Sequence, residues 1–96
     1  MLYHIKITPT ALNDLQQGID YYQLQQKGLG KRFSNVIETT LEKIKLMPHA
    51  ASIAYNDVRY KIVDKFSYVV LYKIHNDDIL ILRIFNTYQQ FNFNEI

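Results

Sequence analysis

Asp57-Val-Arg-Tyr-Lys-Ile-Val-Asp-Lys-Phe-Ser-Tyr-Val-Val-Leu-Tyr-Lys-Ile-His-Asn-Asp-Asp-Ile-Leu-Ile-Leu-Arg-Ile-Phe85 is the stretch that decides the fold of this 96-residue chain. From Val58 onward its period is two: Val58, Tyr60 and Ile62 alternate with Arg59, Lys61 and Val63, and Tyr68, Val70, Tyr72 and Ile74 alternate with Val69, Leu71 and Lys73. Ile79 to Phe85 is apolar on both faces except for Arg83, the pattern of a strand in the middle of a sheet. His75-Asn-Asp-Asp78 supplies the turn before it. Three consecutive strands with tight connections make a meander.

Upstream of the meander the period changes. Leu2 to Ile7 alternates as a first strand, with Tyr3, Ile5 and Ile7 on one face and His4 and Lys6 on the other. Thr8-Pro9 then stops the strand and opens a helix, because proline is preorganised for the first helical position and Thr8 can accept from the amide of Ala11. This helix is expected to run to about Gln26 with Leu12, Leu15, Ile19 and Tyr22 as its core stripe. Gly18 weakens it by about 1 kcal/mol relative to alanine, which points to close packing at that position. Gly28 stands where a left-handed cap is expected. A second helix, from about Gly30 to Leu46, sets Phe33, Ile37, Leu41 and Ile44 on one stripe before Pro48 ends it. The connection between the helices is short enough to require an antiparallel hairpin. Met47 to Asn56 reads as irregular.

These elements predict one α+β domain over residues 1–96, with a two-layer β-α-α-β-β-β order. The helical hairpin covers one face of a mostly antiparallel four-stranded sheet. The charged side chains spaced along the strands are expected on the uncovered face, and function is sought there.

Composition narrows the classes. Apolar residues make up 48% and charged residues 21%, a globular balance rather than a disordered one. A chain this short buries only about 60–65% of the surface its unfolded form exposes, so its stability is expected to be modest. No run approaches the roughly 18 apolar residues of a membrane span, and Met1 to Lys6 lacks the layout of a signal peptide, so the expected location is the cytoplasm and no membrane partner is expected. With no cysteine and three scattered histidines, His4, His49 and His75, neither a metal site nor a cofactor is expected. The net charge of +2 does not by itself indicate nucleic acid, but Arg59, Lys61, Lys65, Lys73 and Arg83 all belong to the meander.

Thr8-Pro9-x-Ala11-x-x-Asp14-Leu15, Ile19-x-Tyr21-Tyr22, Gly28-Leu29-Gly30-x-x-Phe33, Pro48 and Val58-Arg59-x-x-x-Val63-x-Lys65-Phe66-x-Tyr68-Val69-Val70-x-Tyr72 occur in this order along the chain. Together they resemble the RelE/ParE superfamily of toxins from bacterial type II toxin–antitoxin modules. The resemblance spans about Tyr3 to Phe85. It implies a β-α-α-β-β-β fold with the first strand beside the last, and a cognate antitoxin that wraps the toxin in a hetero-oligomer. The implied target is DNA gyrase, inhibited by protein contact in the ParE branch, or ribosome-bound mRNA, cleaved in the RelE branch. A third reading is a degenerate, non-toxic module that only binds its partner.

The two branches make different demands on side chains. Attack by a 2′-hydroxyl needs a base, stabilisation of the crowded phosphate and an acid for the leaving oxygen. Arg59, Lys61, Arg83 and Tyr88 are the candidate catalytic set, with the arginines clamping phosphate and Tyr88 as acid or base. Arg59 and Lys61 at alternate positions equally describe any solvated sheet face. Arg83 is more telling, because a charge in an apolar strand is costly unless paired or functional, and Asp57 or Asp64 is a possible partner. The resemblance departs at Asn86-Thr87-Tyr88-Gln89-Gln90, where many relatives carry His, Arg and an Asn/Asp-Pro. Tyrosine, with an ordinary pKa of about 10, is a poor base near neutrality unless cations lower it. The departure therefore favours the ParE branch. Tyr21, Tyr22, Phe91 and Phe93 are apolar groups that an antitoxin segment can cover; for Phe91 and Phe93 the alternatives are folding back onto the sheet or disorder.

Overall fold

The computed structural model describes residues 2–88. Its elements are β1 (His4–Ile7), α1 (Pro9–Gln25), α2 (Leu29–Leu46), β2 (Ser52–Tyr55), β3 (Val58–Ile62), β4 (Tyr68–His75) and β5 (Asp78–Asn86). The five strands form one sheet in the order β1-β5-β4-β3-β2. β1 runs parallel to β5, and every other pairing is antiparallel. The α+β architecture and the placing of the first strand beside the last agree with the expectation. The strand count does not: Ser52–Tyr55, inside the segment expected to be irregular, pairs with β3 as a fifth strand.

Local chemistry explains the boundaries. Thr8 is extended, with its hydroxyl accepting from Ala11 N–H at 3.1 Å while Pro9 fills the first turn of α1. The same hydroxyl donates to the Leu82 carbonyl at 3.2 Å, which pins the start of α1 to β5. Gly28 has φ +87°, the left-handed conformation that lets the chain reverse between the helices. Asn76, with φ 55°, carries the β4–β5 turn.

The core lies between the helices and one face of the sheet. Phe33, Ile37 and Ile44 of α2 meet Val70, Tyr72, Ile79, Ile81 and Ile84, all nearly inaccessible to water. On α1 the buried stripe is rotated from the expected one. Ala11 and Gly18 are buried and Leu15, Ile19 and Tyr22 pack on the core, but Leu12 is 56% exposed. Gly18 has the packing reason anticipated for it, since a Cβ there would stand 2.6 Å from Phe33 Cε2.

Candidate functional site

Register assigns each strand residue to a face, because residues directly opposite one another share one. Tyr72 stands opposite Ile81, Ile74 opposite Ile79 and Val70 opposite Ile84, all on the helix side. Leu71 opposite Arg83 and Val69 opposite Phe85 are on the other side. Between Ile81 and Arg83 the register slips by one residue, leaving Leu82 as a bulge on β5. Without that bulge Arg83 would point into the helix-side core.

On β3 the charges take the face opposite to the one expected. Arg59 pairs with Tyr72 and Lys61 with Val70, so both lie on the helix side, while Tyr60 and Ile62 pair with Leu71 and Val69 on the other. The reason is position in the sheet. The helices pack chiefly over β1, β5 and β4, and the helix side of β3 is a rim reached by the loop that follows α2. Arg59 there donates to the carbonyls of His49 at 3.2 Å and Ala51 at 2.7 Å, which ties this loop to the sheet. Tyr72 adds a buried hydrogen bond of 2.6 Å to the Pro48 carbonyl. Burial pushes the Tyr72 hydroxyl above its ordinary pKa, and neighbouring Arg59 partly opposes that. Lys61 lines a hollow of about 280 Å³ with Lys43, Ile44, Met47 and Tyr72.

Arg83 has a different setting. Beyond Ile81 the outer edge of β5 is no longer paired with β1, and α1 brings Asp14 to it. Asp14 Oδ2 accepts from Arg83 Nε at 2.7 Å and from Ile84 N–H at 3.1 Å, while Oδ1 accepts from Arg83 Nη2 at 3.1 Å. The carboxylate thus caps an edge amide and grips the guanidinium in a bidentate fork. The Arg83 guanidinium carbon also lies 5.8 Å from the centroid of Phe85. Among the described residues the carboxylate that pairs with Arg83 is Asp14, not Asp57 or Asp64. Beside this pair is a hollow of about 360 Å³, lined by Gln17, Gly18, Tyr21, Tyr68 and Asn86. Burial raises the pKa of Tyr68, against the effect of a hydrogen bond with the Asn86 side chain.

Tyr88 follows β5 and is 86% exposed, with its backbone amide bonded to Asn86 Oδ1 at 2.8 Å. The four predicted residues are therefore dispersed: Arg59 and Lys61 on the helix-side rim at β3, Arg83 two strands away on the other face, and Tyr88 at the exposed end of β5. Among the described residues, no group of three or more His, Asp or Glu side chains is arranged to hold a metal ion. No described helix is long and apolar enough to cross a membrane.

The family model for the ParE toxin of the type II toxin–antitoxin system ParDE matches residues 5–91. The chain belongs to the ParE toxin family. Two solved structures share the fold of this ParE-family chain. One is the chromosomal ParDE system from P. aeruginosa, with TM-score 0.67, 19% identity, and coverage of 88% of this chain and 96% of that one. The other is the toxin–antitoxin complex RelBE2 from Mycobacterium tuberculosis, with TM-score 0.63, 17% identity, and coverage of 90% and 99%. No curated protein matches.

In this ParE-family chain the residue that sequence reasoning left without a role is Asp14. A carboxylate on α1 beside an apolar neighbour reads as solvated until α1 is laid against β5. The available signal was Arg83 itself, a cation in an apolar strand that required a partner.

Proposed function

We propose that this ParE-family toxin arrests growth by binding DNA gyrase, and that a cognate antitoxin encoded beside it holds it inactive. The observation that supports a binding mechanism over RNA cleavage is the dispersal of Arg59, Lys61, Arg83 and Tyr88. General acid–base cleavage needs base, acid and phosphate clamp within about 3 Å of the atoms of one phosphodiester. Arg59 is engaged by two loop carbonyls and Arg83 by Asp14, so both arginines have structural roles that explain their presence. A toxin acting by surface contact needs no converging set.

The antitoxin partner is supported by the two toxin–antitoxin complexes that share the fold. It is also supported by apolar side chains left on the outside of α1, where Leu12, Tyr21 and Leu24 are half or more exposed. An amphipathic antitoxin segment would cover them. The neighbouring reading frame should encode a small protein that co-purifies with this chain and restores growth when co-expressed.

Induction of single variants tests the mechanism. Lys61→Ala and Tyr88→Phe touch no hydrogen bond that holds the fold, so a gyrase binder retains growth arrest in both. Loss of arrest in both, with each variant folded and messenger cleavage lost in parallel, would overturn the reading in favour of a ribosome-dependent endoribonuclease.

A further inference from the structure

The hollow between the last turn of α2 and β3, about 280 Å³, combines features that the fold itself does not use. Its floor is apolar: Ile44 and Tyr72 are 1% and 0% exposed, and the Tyr72 hydroxyl is engaged by the Pro48 carbonyl. Its wall is apolar and open to water, with Leu46 80% and Met47 67% exposed. Its rim carries two cations. Lys43 comes from the last turn of α2, and Lys61 from a helix-side position of β3, opposite Val70. Among the described residues neither lysine forms an ion pair. One exposed leucine or one solvated lysine needs no explanation. An apolar hollow edged by two unneutralised cations from different elements has a definite complement, a segment that is both apolar and acidic.

We propose that this hollow receives an acidic amphipathic segment of the antitoxin, with an apolar side chain seated between Met47 and Tyr72 and flanking carboxylates meeting Lys43 and Lys61. This contact rests on the antitoxin reading above and names one of the places where that partner is held, separate from Leu12, Tyr21 and Leu24 on the outside of α1. Size suits a side chain. Small-molecule pockets run from roughly 300 to 1,000 Å³ and enclose most of their ligand, whereas this hollow falls below that range and lies open beside Leu46 and Met47. Charge selects the segment, because a lysine lays its stem along an apolar surface and keeps its ammonium at the edge, where an incoming carboxylate meets it. A second copy of the chain fits less well: α1, which carries the exposed Leu12, Tyr21 and Leu24, has two carboxylates, Asp14 held by Arg83 and Asp20 accepting from Gln16 at 2.9 Å. Nucleic acid fits less well too, since the one ring in the hollow, Tyr72, is inaccessible and offers no face for a base to stack on.

Titration of the full-length toxin with the small protein encoded beside it, read by calorimetry and by the Met47 methyl signal, tests this. The Met47 methyl should shift on binding. Lys43→Glu/Lys61→Glu should bind about tenfold or more weakly, and the affinity of the unaltered chain should fall more steeply with salt than that of the variant. Antitoxin with lysines in place of the carboxylates of the bound segment should bind the variant better than it binds the unaltered chain. Met47→Asp should weaken binding as well, and the Ile37 methyl in the core should hold its position in both variants if each is folded. Unchanged affinity in the folded variants, with the unaltered chain binding its antitoxin, overturns this contact and leaves the antitoxin reading standing. Absence of binding by the unaltered chain overturns both. A Met47 shift that appears with toxin concentration alone gives the hollow to a second copy, and loss of gyrase binding with antitoxin binding intact gives it to the target; either result also overturns the proposal.

Discussion

Asp14 and Arg83, 69 positions apart, are joined by two hydrogen bonds of 2.7 and 3.1 Å, and the same carboxylate takes the Ile84 amide at 3.1 Å. One side chain on α1 thereby ties the helix to β5, takes up an edge amide of β5 beyond the end of its pairing with β1, and orients the cation. The pair is partly buried, its side chains 22% and 11% exposed, so solvent weakens it less than a surface ion pair.

Asp14→Ala is expected to lower stability by about 2 kcal/mol, the cost of taking the carboxylate away from a partly buried guanidinium and an edge amide. Asp14→Ala, Arg83→Ala and the double variant form a cycle in urea denaturation whose coupling should be about 1–2 kcal/mol. Additive effects would mean that the pair contributes only through its separate contacts.

Gly18→Ala sets two effects against each other. Alanine favours the helix by about 1 kcal/mol, but its Cβ would stand 2.6 Å from the ring of Phe33, which is fully buried. Overpacking of this kind costs about 1–3 kcal/mol, so a net loss of about 1 kcal/mol is expected. Phe33→Leu should recover part of it in the double variant, measured by thermal unfolding.

The tyrosines of the core make the protein sensitive to alkali. Burial is the leading cause that holds the pKa values of Tyr22, Tyr68 and Tyr72 above the ordinary value. In the unfolded chain the same groups ionise first, at about 10. Their contribution is therefore fully present below that pH and is lost as pH rises through the folded values. Tyr72→Phe should cost about 1–2 kcal/mol near neutrality by leaving the buried Pro48 carbonyl unpaired. It should also make the alkaline fall shallower, as measured by denaturation at a series of pH values.

The sequence disclosed the elements whose patterns are local and long. Thr8-Pro9, the stripe Phe33-Ile37-Ile44, Gly28 and the alternation of β4 each report on residues within a turn or two, and each stands where its pattern placed it. Ser52–Tyr55 escaped because four residues are too few to establish a period, and the strand exists only by pairing with β3. The face of Arg59 and Lys61 was misread for a related reason. Alternation fixes two faces but not which one the helices cover, and at the rim of a sheet a lysine stem can lie on the helix side with its charge in solvent. Asp14 was invisible as a partner because its acceptor role appears only when α1 crosses the open edge of β5. The two candidate arginines could be picked out by type and spacing, but dispersal across two faces is a property of register and bulge, and the extra residue at Leu82 has no signature in composition.

The most direct test of gyrase-directed action is to induce the chain in growing cells, then trap DNA–gyrase complexes and map messenger 5′ ends from the same culture. A gyrase-directed toxin gives accumulated cleaved-DNA complexes with gyrase covalently attached, loss of supercoiling activity and intact messengers, all reversed by co-expressed antitoxin. Codon-phased messenger cleavage with unaffected gyrase, abolished by Arg83→Ala or Tyr88→Phe in folded protein, would contradict it.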